Sequence, residues 1–124
     1  MADFDASGAL IEQVNAARAN ATPLKIQGGN SKAFIGRAVT GEVLDTRAHR
    51  GIVRYEPTEL VVSVRAGTPL SELLAALDGA GQMLPCEPPS FFEGATVGGM
   101  IATGLSGPRR PWSGSVRDFV LGTR

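Results

Sequence analysis

Between Gly94 and Gly107 run fourteen consecutive residues, GATVGGMIATGLSG, with five glycines and no charge. A stretch so poor in large side chains buries little apolar surface of its own. What it can do is bring main chain close to something else, because at each glycine no Cβ stands in the way. Two placements fit and are compatible: a loop and short helix packed tightly against a sheet, or a wall of N–H groups lying against a planar ring or a pyrophosphate. A membrane span is a poor third. Gly94 and Gly98 have the spacing of a helix-pairing motif, but the uncharged run to Pro108 is shorter than the roughly 20 apolar residues a span needs, and too rich in glycine.

A second glycine-bearing stretch, Ile26-Gln27-Gly28-Gly29-Asn30-Ser31-Lys32, follows directly on the apolar run Leu24 to Gln27, which reads as a strand. Gly28 and Gly29 are expected to turn the chain at positive φ and to leave room for a ligand. Successive N–H groups could then converge on an anion, with Asn30 and Ser31 adding donors and Lys32 a positive charge. The same letters also suit a polar hairpin loop.

Local patterns set the elements around these stretches. Leu10, Ile11, Val14 and Ala17 recur at helical spacing, with Asp5 or Ser7 as caps and Pro23 beyond the end. Glu42 to Thr46, Gly51 to Tyr55 and Leu60 to Val64 read as short strands. A helix follows, with Thr68 as N-cap, Pro69 in its first position, and an apolar stripe of Leu70, Leu73, Leu74 and Leu77 that Gly79 and Gly81 terminate. The alternation of strand and helix predicts an open, partly parallel α/β sheet in the first half. The second half is less regular, and Val116 to Gly122 reads as the approach to another strand. Pro57-Thr58 is the expected border between the halves.

Composition excludes several functions. Twelve basic residues balance twelve acidic ones, so no long-range positive field favours nucleic acid. Cys86 is the sole cysteine, which rules out an intrachain disulfide and fits a reducing, cytoplasmic setting. Met1 to Gly8 carries Asp3 and Asp5 and has no basic residue leading an apolar run, so it does not read as a leader. No G-x-G-x-x-G, G-x-x-x-x-G-K-[ST] or G-x-S-x-G occurs. His49, the one histidine, lies between Arg47 and Arg50 and reads as a solvated loop residue, so no histidine cluster can hold a metal.

A strand leading into G-G-N-S, then a proline-rich turn and T-V-G-G-x-x-A-T-G-x-x-G, resembles the FAD-binding domain of the PCMH type, the vanillyl-alcohol oxidase superfamily. Within that group, Ile26 to Arg37 (IQGGNSKAFIGR), Gly81 to Pro88 (GQMLPCEP) and Gly107 to Arg124 (GPRRPWSGSVRDFVLGTR) resemble the E-subunit family of glycolate oxidases. The likeness extends from about Leu10 to Arg124.

The resemblance implies an α/β to α+β fold, with residues 1–56 as a first lobe and 57–124 as the start of an incomplete second lobe. It implies that Gly28, Gly29, Asn30, Ser31 and Lys32 surround the FAD pyrophosphate. Thr96, Val97, Gly98, Gly99, Ala102, Thr103, Gly104 and Gly107 would line the rest of the cofactor. Covalent flavin attachment in the superfamily uses a histidine in or near these loops, and none is present, so FAD is expected to be non-covalent. The implied reaction is oxidation of a small 2-hydroxy acid to a 2-oxo acid. The implied partners are a second flavoprotein and an iron–sulfur subunit, with any membrane association made through them. A D-lactate dehydrogenase, an enolpyruvoyl reductase and an assembly subunit with a vestigial flavin site are the alternatives. Because the family domain continues further and adds a cap domain, no catalytic base or substrate-binding residue is assigned; Arg109-Arg110 could recognise a carboxylate such as glycolate, but reads first as a solvated basic turn. A chain that stops on a fresh apolar segment is expected to expose an edge, to self-associate and to hold FAD weakly.

Overall fold

The computed structural model describes residues 3–124. Met1 and Ala2, at the start of the segment read as lacking a leader, lie outside the described residues. The fold mixes helices with two small sheets.

Helix α1 (Ser7–Ala19) follows Asp5, whose carboxylate accepts the Ser7 N–H at 2.9 Å; Ala6, in the cap position, offers no side-chain bond. Strands β1 (Leu24–Gln27) and β2 (Glu42–Asp45) pair in parallel from Leu24↔Glu42 to Gln27↔Asp45. Of the expected α1 stripe only Ala17 is buried, while Ile11 and Val14 are exposed. The reason is width: two strands about 4.8 Å apart present too narrow a face to cover a helical stripe.

The predicted open sheet of the first half does not extend to the third strand. Strand β3 (Ile52–Glu56) pairs instead with β4 (Val61–Val64), antiparallel, through the single 3-10 turn Pro57–Glu59 and Leu60 at φ 56°. So short a connection permits only an antiparallel neighbour, whereas the parallel pair β1–β2 has the long loop 28–41 for its return. The hairpin straddles Pro57-Thr58, and main-chain bonds join the two halves there.

Helix α2 (Leu70–Gly79) begins one residue later than its sequence signals indicate. Thr68 does not cap it. The fully buried Thr68 hydroxyl accepts the Gly51 N–H at 2.9 Å and donates to the Gly51 carbonyl at 3.2 Å. Pro69 is held extended because it bridges to Thr96: Leu70 N–H donates to Ala95 O at 2.7 Å and Val97 N–H to Thr68 O at 2.9 Å. The C-terminus behaves as expected. Gly81, at φ 67°, lets Gln82 N–H reach Leu77 O while its own N–H reaches Asp78 O, both at 2.9 Å. Leu70, Leu73 and Leu77 are buried and Leu74 is exposed. These three leucines form the core with Ala95, Val97 and Met100, against which Tyr55, Val62, Val64 and Leu84 pack.

Helix α3 (Val97–Thr103) and the short α4 (Arg110–Ser113) complete the chain. Val116 to Gly122 is not a strand: Val116–Phe119 forms a 3-10 turn. The Asp118 carboxylate accepts from the Ser115 N–H at 2.7 Å and hydroxyl at 2.9 Å, and these local bonds favour a turn over an extended segment.

Candidate functional site

The fold brings the two glycine-bearing stretches into contact. Gly28 lies under Thr96, where a Cβ would come within 2.5 Å of Thr96 Oγ1. Gly29 backs onto Gly94, whose carbonyl a Cβ would overlap. Neither Gly28 nor Gly29 has positive φ, contrary to expectation; at this contact the left-handed residues are Asn30 at φ 58° and Gly94 at φ 88°. The paired glycines are therefore needed for close approach of two main chains, and Asn30, a residue type that tolerates this region, makes the turn.

At Gln27 the ladder with β2 ends. Among the described residues, the N–H groups of Gly28, Gly29, Asn30, Ser31 and Lys32 meet no acceptor. The side chain of Lys32 has no acidic partner among the described residues, and Ser31 is buried with a relative exposure of 8%. Two turns shape the loop from within, Ala33 N–H to Asn30 O at 3.4 Å and Ile35 N–H to Lys32 O at 3.0 Å.

The second stretch is different, and its expected wall of free donors is not found at the start of α3. Val97 and Gly98 donate to Thr68 O and Ala66 O at 2.9 and 2.8 Å. Gly99 donates to Thr96 Oγ1 at 3.2 Å, so Thr96 is the N-cap of α3. Gly98 serves close packing, since a Cβ would meet Ala66 at 2.9 Å. Ala102, Thr103 and Gly104 are exposed at the end of α3, where Gly104 closes the helix at φ 62°. Gly107 donates to Cys86 O at 2.8 Å and has no room for a side chain beside Glu87. Thus Gly28, Gly29 and Thr96 come together, with Asn30, Ser31 and Lys32 on the same loop. Val97 and Gly98 tie the start of α3 to Thr68 and Ala66, Gly99 bonds Thr96, and Ala102 to Gly107 lie further along the chain.

Around this site, Cys86 is buried, and burial pushes its thiol pKa up, away from a reactive thiolate. Arg109 Nε stands 3.4 Å from Glu87 Oε1, so one of the two adjacent arginines is engaged within the chain. His49 is not a solvated loop residue: its Nδ1 accepts the Ala6 N–H at 3.2 Å and its side chain is 20% exposed. Nearby, Arg65 Nε bonds Asp3 Oδ1 at 2.5 Å, and this bond holds the Asp3 carboxyl below its usual range. Sequence reasoning missed Phe34, Phe91 and Phe92, whose rings meet across the two loops. Their signal was proximity: each lies within a few residues of a glycine motif.

The arrangement suits a pyrophosphate. A run of unpartnered N–H groups beside a lysine can take several phosphate oxygens at once, and the bare glycine backbone allows the approach. Among the described residues no cluster of His, Cys, Asp or Glu could hold a metal ion, and no helix is long and apolar enough to cross a membrane.

Comparison with known proteins bears on the same stretches. The chain is 69% identical to glycolate oxidase subunit GlcE of Escherichia coli (strain K12) over 122 residues, which is 98% of this chain and 35% of that protein. It is 35% identical over 83 residues to L-gulonolactone oxidase 3 of Arabidopsis thaliana, covering 64% of this chain and 14% of that one. With a D-lactate dehydrogenase of Anaerostipes hadrus it shares 30% over 95 residues, 74% of this chain and 20% of that one. The chain thus spans about a third or less of the length of these relatives. No solved structure matches it. The family model for the FAD binding domain matches residues 5–124, both glycine-bearing stretches included, and the chain belongs to that family.

Proposed function

We propose that this chain supplies the pyrophosphate-holding part of the FAD site in a subunit of a glycolate-oxidising complex. The observation that carries the reading is the run of unpartnered N–H groups from Gly28 to Lys32, pressed against Gly94 and Thr96 through residues with no side chain. Gly28, Gly29, Asn30, Ser31 and Lys32 would hold the phosphates. Thr96, Val97, Gly98 and Gly99 would set the loop's position from behind, and Ala102, Thr103, Gly104 and Gly107 would border the remaining cofactor. In this division residues 1–56 form the first lobe and 57–124 begin the second, as in a PCMH-type domain, with the β3–β4 hairpin stitching the two.

Binding would be non-covalent, since no histidine lies in either loop and His49 is engaged at the start of α1. Bound flavin would supply the acceptor for the hydride of a 2-hydroxy acid, and this chain's residues would hold and orient it. The name of the Escherichia coli relative says that it is a subunit. We take the partners to be a second flavoprotein and an iron–sulfur subunit, the setting to be cytoplasmic, and any membrane attachment to run through those partners. Oxidation of D-lactate is the second reading, favoured by the match to a D-lactate dehydrogenase but at 30% identity against 69%.

Absorption spectra of the purified full-length subunit, separated from the second flavoprotein and the iron–sulfur subunit and taken before and after substrate, test both. Yellow flavin bleached by glycolate and little changed by D-lactate is the expected result. Preferential bleaching by D-lactate would move the reading to the second enzyme. A colourless protein that takes up no FAD would leave an assembly role.

A further inference from the structure

We infer that Phe34, Phe91 and Phe92 form an aromatic latch that holds the loop after β1 in the shape that receives phosphate. The inference rests on the pyrophosphate reading of that loop and adds positioning residues to it. Phe34 meets Phe91 edge-to-face, with ring centroids 5.2 Å apart and planes at 85°, and meets Phe92 at 6.4 Å and 83°. Phe34 follows closely on Lys32, and Phe91 and Phe92 lie just before Gly94. The latch and the Gly29–Gly94 contact therefore clasp the same two loops at neighbouring points.

The loop depends on these contacts. From Gly28 to Thr40 no hydrogen bond ties it to the rest of the chain among the described residues; its two internal turns stabilise it only against itself. As residues, Phe34, Phe91 and Phe92 are 62%, 48% and 63% exposed in this chain and lie outside its core cluster. What their arrangement provides is geometry, two edge-to-face pairs that share Phe34. An anion site made of successive main-chain N–H groups binds well only if those groups already converge, because ordering a loose loop costs affinity.

The test compares FAD with riboflavin, which carries the same ring system and no phosphate, on the full-length protein and its Phe34→Ala, Phe91→Ala and double variants. Loss of the two ring contacts should weaken FAD about tenfold. Riboflavin affinity should change little. Phe34→Leu, which keeps apolar surface but no ring, should lie between parent and Phe34→Ala, and it carries the same comparison if the alanine variant does not fold. Adding Phe91→Ala to Phe34→Ala should weaken FAD by less than the product of the single effects, because the first change has already opened the latch. A parent that prefers FAD to riboflavin, with the same preference in Phe34→Ala, would overturn the latch alone. Single effects that multiply independently would do likewise. A parent that binds both flavins equally would overturn the pyrophosphate reading and the latch together.

Discussion

Replacing Gly29 by valine tests how the glycine loop works. Any Cβ at Gly29 would overlap the Gly94 carbonyl and lie 3.3 Å from Ala95 N. Both neighbours are main chain, and the next carbonyl, Ala95 O, is held by the Leu70 N–H at 2.7 Å, which limits how far the Gly94–Ala95 peptide can shift. The loops must part. Overpacking of this kind costs about 1–3 kcal/mol. A ceiling comes from what clasps the loop: two edge-to-face ring pairs of about 0.5–1.5 kcal/mol each give way before the core does. We therefore expect a loss of about 1–3 kcal/mol, or roughly 4–10 °C in melting temperature, with the helical signal retained. The effect on FAD should be larger. Dispersing even two charge-assisted N–H contacts, at about 1.5–3 kcal/mol each, lowers affinity more than a hundredfold. Flavin absorbance after gel filtration, with a melting curve on the same sample, gives both readouts. Gly28→Ala should be milder, since its Cβ would meet the Thr96 side chain, 2.5 Å from Oγ1, and displacing that hydroxyl gives up the cap on Gly99 N–H, worth about 1 kcal/mol. Gly8→Ala, in α1 with nothing within 4 Å, should be neutral or stabilising. Parent-like flavin content in Gly29→Val would refute the placement of the phosphates.

Other sites give independent tests. Thr96→Ala removes the cap on the Gly99 N–H and should cost about 1 kcal/mol by thermal denaturation, which Thr96→Ser should restore. Cys86 is 2% exposed with its thiol pKa raised by burial, so alkylation followed by mass spectrometry should be far slower in the native protein than in denaturant. Cys86→Ser should leave flavin content and activity within several-fold of the parent. The hydrogen bond from Arg65 lowers the Asp3 pKa from 3.8 in the folded protein. A depressed carboxylate stabilises above its unfolded pKa and loses that contribution as pH falls through its folded value. The melting temperature of Arg65→Met should thus lie below the parent's by a constant amount at neutral pH, a gap that closes as pH drops below about 4. A gap that persists into acid would assign the effect to packing by Arg65.

What the amino-acid sequence determined by itself was local. The leucine stripe of α2, its stop at Gly81 and the strand runs from Leu24, Glu42, Gly51 and Leu60, the last two starting one residue later in the structure, follow from spacing, chirality and branching, which act within a few residues. The two glycine stretches were also legible as places where main chain approaches something closely. Which surface each approaches was decided only in three dimensions. Thr68 beside Pro69 has every local mark of a cap, yet its hydroxyl goes to Gly51, and Thr96 caps α3 instead. Gly28 and Gly29 read as turn residues, but Asn30 takes the turn and the glycines take the contact with Gly94 and Thr96. These choices involve main-chain groups, which every residue carries alike, so composition and periodicity leave no trace of them. The packing of the β3–β4 hairpin, α2 and α3 around a shared core fixes the Gly94 stretch, and Gly28 and Gly29 meet it main chain to main chain, leaving the row of unpartnered N–H groups on which the proposed function rests.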